Sequence, residues 1–139
     1  MQLFLKENKT KTISNAKEFL KTFPKLRLKA GFSVSEVSSP SFGENFSSGS
    51  VSNSNENKLI NQIESRELVE IVIKCINVLK SNYRVVLTDL YVKDLTLDEC
   101  AAHTNRSKNS VNRIRNRALL DFAFAMEGFG FQLVSYYKN

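Results

Sequence analysis

Residues 96–117, TLDECAAHTNRSKNSVNRIRNR, pass within a few turns from acidic and apolar residues to a run of arginine, lysine and asparagine. No acid interrupts the chain between Glu99 and Asp121. Catalytic chemistry has little to draw on. There is one histidine, His103, and neither paired carboxylates in an apolar setting nor a glycine-rich phosphate loop, so no enzyme activity is expected. What the span offers is a concentration of hydrogen-bond donors. Arginine and asparagine carry the forked groups that match guanine and adenine edges in the major groove of DNA. A helix face meant only for water usually mixes both signs to gain i,i+4 pairs, whereas Arg113 and Arg117 stand at that spacing with like charge. Asparagine is a poor helix former, yet Asn109, Asn112 and Asn116 recur on the same stretch.

These residues need a rigid mount, and the spacing around them describes one. Thr96 followed by Glu99 is a capping box that starts a helix of about two turns. Leu97, Cys100, Ala101 and Thr104 form its inner face. Asn105 tolerates the left-handed conformation of a tight turn, and Ser107 is a good N-cap for the next helix, which presents Val111, Ile114, Ala118 and Leu119 inward. A small residue at 101, a residue able to reach positive φ at 105 and β-branched packing at 111 and 114 are the requirements of a helix-turn-helix. On that frame the expected base-reading residues are Lys108, Asn109, Asn112, Arg113 and Asn116. The expected phosphate contacts are Arg106, Ser107, Ser110, Arg115 and Arg117.

The rest of the 139-residue chain divides by composition. Residues 1–30 carry eight Lys or Arg against two acids, and residues 104–139 carry six against two, around a middle with more acids than bases. Two basic segments point to a polyanion met at two places. Residues 1–32 read as a basic arm, in which Ala16, Phe19, Leu20 and Phe23 mark a short amphipathic helix behind the capping candidates Ser14 and Asn15 and ahead of Pro24. Such a helix must dock on the main domain, a partner chain or another protein. Residues 33–57, with ten serines, two glycines and a proline, read as a flexible linker. Residues 58–128 read as an all-α, three- to four-helix DNA-binding domain. Its first helix is lined by Ile63, Leu68, Ile71, Val72, Cys75, Ile76 and Leu79, and its second, capped by Ser81 or Asn82, by Val86, Leu87, Leu90 and Tyr91. The apolar tail 129–139, FGFQLVSYYKN, is read as a homodimer contact or an intramolecular cover.

Cys75 and Cys100 are too few and scattered for a disulfide scaffold and read as small reduced core residues. Cys100 and His103 share a helical turn, but with only Cys75 to add they fall short of the four ligands of structural zinc, so neither metal nor cofactor is expected. No apolar run approaches a membrane span and the N-terminus is charged too early for a secretory signal, which makes the cytoplasm the expected compartment.

The N-terminal NAKEFLKTFPKLRLKAG, the serine-rich gap, the helix ending in LKSNYRVVLTDLYV and the motif closing in RNRALLDFAFAME together resemble the ArpU family of phage late-gene transcriptional regulators. The C-terminal part is also similar to region 4 of sigma-70-type factors. The resemblance implies DNA binding upstream of lysis or packaging genes and activation of their transcription in a bacterial host. Two other readings stay open: a sigma-like subunit that also touches RNA polymerase, and a small-terminase-type packaging component that works as a ring. An adaptor without a nucleic-acid role is the bland alternative.

Overall fold

The computed structural model describes residues 5–42 and 57–137, with side chains described outside 57–63. Among these residues the architecture is all-α: α1 (Lys9–Lys21), α2 (Phe23–Ala30), α3 (Val34–Ser38), α4 (Asn57–Asn77), α5 (Ser81–Leu87), a π-helical turn (Thr88–Val92), α6 (Leu97–Thr104) and α7 (Lys108–Glu127). No described helix is long and apolar enough to cross a membrane.

α1 starts earlier than its apolar spacing indicates. Asn8, not Ser14 or Asn15, is the N-cap, its side chain accepting from the Lys11 amide at 3.2 Å. The first turn is polar and exposed apart from Thr12, so hydrophobic periodicity carries no trace of it. Pro24 ends nothing; it lies in the first turn of α2, where its missing N–H costs no helical bond. α2 then stops at Gly31, whose φ of 82° lets its own amide and that of Phe32 turn back onto the Arg27 carbonyl. α5 also differs from expectation: Lys80 is its cap residue and no side chain caps it.

α1 and α2 are part of the core. Ala16, Leu20, Phe23 and Ala30 are buried in one cluster with Val69, Val72, Ile73 and Ile76 of α4 and Leu119, Phe122 and Met126 of α7. α1 packs on α7 and α2 on α4. The guanidinium of Arg66 joins the second pair, donating to the Ala30 carbonyl at 2.9 Å and lying 4.2 Å over the Phe32 ring. The amphipathic stripe of the expected arm therefore docks on the helices that follow it, and the basic residues 6–29 stand around an integral part of the fold.

The structure also differs from a free tether at residues 33–42. Ser33 and Glu36 form a capping box, Val37 of α3 is 2% exposed, and Phe42 meets Phe32 edge-on at 5.0 Å. A reciprocal pair of local hydrogen bonds and two apolar anchors are enough to order a segment whose composition is dominated by serine. The rest of the expected linker, 43–56, lies outside the described residues.

The tail closes over α1 within the same chain. Ser135 accepts from the Asn8 amide at 2.7 Å, the Thr12 hydroxyl accepts from the Ser135 amide at 2.9 Å, and the Lys6 carbonyl accepts from the Tyr137 amide at 2.9 Å. Val134 is 2% exposed. Of the apolar surface that motivated a dimer contact, Phe131, Leu133, Val134 and Tyr136 are thus packed internally while Phe129 and Tyr137 stay exposed, and the buried Thr12 finds its partners in the tail. Val134→Ala should lower stability by about 2 kcal/mol with no change in molecular mass. Sedimentation alongside a denaturant titration checks both; a mass that halves with the substitution would restore the tail as a dimer contact.

Both cysteines are free and buried, Cys75 in the main core and Cys100 in a smaller one. Burial pushes each thiol up to about 11, with Asp89 adding to the effect at Cys100. At pH 8 both are protonated and enclosed, so iodoacetamide should modify neither until denaturant is added, as read by intact mass.

Candidate nucleic-acid interface

Residues 96–117 fold as the local signals require. The Thr96 hydroxyl accepts from the Glu99 amide at 3.1 Å while the Glu99 carboxylate accepts from the Thr96 amide at 2.8 Å, which fixes the start of α6. α6 ends at Asn105 with φ 56° and ψ 46°, and the Arg106 amide returns to the Ala101 carbonyl at 3.0 Å. Ser107 caps α7, accepting from the Ser110 amide at 3.1 Å. α6 and the first turns of α7 enclose their own small core of Val86, Cys100, Ala101, Val111 and Ile114, with Tyr83, Leu90 and Leu97 against it. The two helices are therefore held by caps at both ends of α6 and at the start of α7, and by packing between them.

α7 separates the candidate residues by its period. With Val111, Ile114, Ala118 and Leu119 inside, Lys108, Asn109, Arg113 and Asn116 are exposed, and Asn112 is half-buried at the edge of the face. Arg106, Ser107 and Arg117 are also exposed, and Ser110 is half-buried. Among the described residues, the one ion pair that touches this face joins Lys108 to Asp98 at 3.3 Å, with both side chains more than half exposed. A pair so solvated contributes at most about 1 kcal/mol, little enough to be exchanged for another anion.

Arg115 is not on that face. It follows Val111 by four residues and precedes Ala118 by three, so a 3.6-residue period turns it inward. Its Nη2 donates to Asn112 Oδ1 at 2.8 Å, and its Nε is buried near the Tyr91 hydroxyl, neither atom having a well-formed hydrogen bond among the described residues. Burial pushes the Tyr91 hydroxyl up, and the Arg115 charge partly offsets this. Arg115 thus belongs with the interior, and because a guanidinium only donates, it holds the Asn112 amide with its oxygen inward and its NH2 outward.

A second polar group behind the face went unnoticed in the sequence. Asp89, in the π-helical turn, is 1% exposed, and its carboxylate lies 2.6 Å from His103 Nδ1 on α6. The π turn, marked by the Lys93 amide reaching the Thr88 carbonyl at 2.9 Å, brings Asp89 round to α6. Asp89 three residues after Val86 was a readable sign of an inward carboxylate. Nothing local named His103, fourteen residues on, as its partner.

Among the described residues no three His, Cys, Asp or Glu side chains converge as metal ligands would. Compared with protein families, curated proteins and solved structures, the chain matches none.

Proposed function

We propose that the chain is a sequence-specific binder of double-stranded DNA that regulates transcription, with α6 and α7 as a helix-turn-helix and α7 entering the major groove. The observation that carries this reading is the outer face of α7. Lys108, Asn109, Asn112, Arg113 and Asn116 present donors from one rigid helix with no acid among them. The Ser107 cap and the first amides of α7, with Arg106 before them, suit phosphate at a helix N-terminus, and Arg117 extends the contact along the backbone. Arg115 acts behind the face by orienting Asn112. The resemblance to ArpU regulators supplies the setting: activation of phage late genes in the bacterial cytoplasm. A homodimer would read two half-sites with one α7 per chain.

The test is selection of bound duplexes from a random pool by the full chain, followed by affinity measurements over a range of salt. A recurrent short motif supports the reading; a pool that stays random sinks it. On the selected site, Arg106→Ala and Arg117→Ala should weaken specific and random duplexes alike, and each should make the salt slope shallower by about one phosphate. Were Arg117 instead a structural residue, its loss would lower the melting temperature and leave the slope unchanged.

A further inference from the structure

A cleft of about 460 Å³ lies where α3, α4, α5, the π-helical turn and α6 meet, and both Asp89 and His103 line it. Its volume is in the range of small-molecule sites. The lining is divided by chemistry. Ile73, Ile76 and Val92 are buried side chains that supply an apolar floor. Arg84 and Lys93 are exposed at the rim, and the Arg84 guanidinium is held to the α4–α5 corner by a 3.4 Å contact with the Asn77 carbonyl. Asp89 is the single acid among the described lining residues; it is 1% exposed and engaged by His103, so the exposed charges at the mouth, Arg84 and Lys93, are both positive. The Ser38 hydroxyl, on the α3 wall, is buried and has no hydrogen-bond partner among the described residues. Buried polar groups are seldom left unmatched.

We propose that this cleft binds a small organic anion, its charged head on Arg84 and Lys93 and its apolar body on Ile73, Ile76 and Val92. The site is independent of the outer face of α7. Its occupant would lie against His103, so it would touch the helix that begins the two-helix unit.

The probe is 8-anilinonaphthalene-1-sulfonate, which joins an anionic head to an apolar body. With the full chain it should show saturable fluorescence at one site, and amide shifts should gather at Ile73, Asn77, Val92 and His103. The double variant Arg84→Gln, Lys93→Gln changes exposed residues and loses only the 3.4 Å contact to the Asn77 carbonyl, so its melting temperature should fall by little while affinity falls about tenfold or more. Absence of saturable binding would overturn the proposal. So would equal affinity in the double variant, or shifts gathered instead at the exposed Phe124 and Phe129, since either outcome means that the dye is finding apolar surface and not a built site. None of these measurements uses DNA, so they stand or fall separately from the reading of α7.

Discussion

Replacing Phe23 by Ala is expected to lower the stability of the whole chain by about 3–5 kcal/mol, the usual cost of emptying a buried phenylalanine site. Phe23 is 1% exposed and opens α2, in a cluster that also holds Val69 and Ile73 of α4 and Phe122 of α7. Small domains have only about 5–15 kcal/mol in total, so the loss takes a large share. Denaturant unfolding followed by circular dichroism and by tyrosine fluorescence should show one transition moved to lower denaturant by both signals. An N-terminal arm that merely leaned on a self-sufficient domain would respond differently: the transition of α4–α7 would stay in place, and a second, earlier one would carry the change. Either of those observations would refute the sharing of the main core between α1–α2 and α4–α7.

Asn112→Ala and Arg113→Ala should each cost about 1–3 kcal/mol on the selected DNA site and much less on random duplex. The two act differently. Arg113 is exposed and free to form a bidentate contact, whereas Asn112 is oriented by the 2.8 Å bond from Arg115. Arg115→Met should therefore alter base preference at the position read by Asn112 while also lowering the melting temperature, because it removes a half-buried side chain beside Tyr91. A phosphate-contacting Arg115 would behave otherwise, weakening all duplexes alike and making the salt slope shallower. The recognition-helix reading is to be abandoned if Asn112→Ala and Arg113→Ala leave the preference for the selected site over random DNA intact in a folded protein.

What the sequence by itself determined is short in range. Thr96 with Glu99, Asn105, and Ser107 with Ser110 act through hydrogen bonds that span three to five residues, so both ends of α6 and the start of α7 were legible before any fold was known. The inward set Val111, Ile114, Ala118 and Leu119 was legible for the same reason, as a helix repeats every 3.6 residues whatever it packs against. That period also placed Arg115 inside, although its charge invited the opposite reading. Tertiary structure decided whatever joins distant residues: Phe23 against α4 and α7, Ser135 against Asn8 and Thr12, His103 against Asp89, and the cleft that α3 helps to wall. No local period encodes the register between two such partners, because it is set by which apolar surfaces can be buried together once the helices exist. The serine-rich composition misled at residues 33–42 on the same ground. An average over many residues carries no weight for the few contacts, here Val37 and Phe42, through which a segment is held to a core laid down by the rest of the chain.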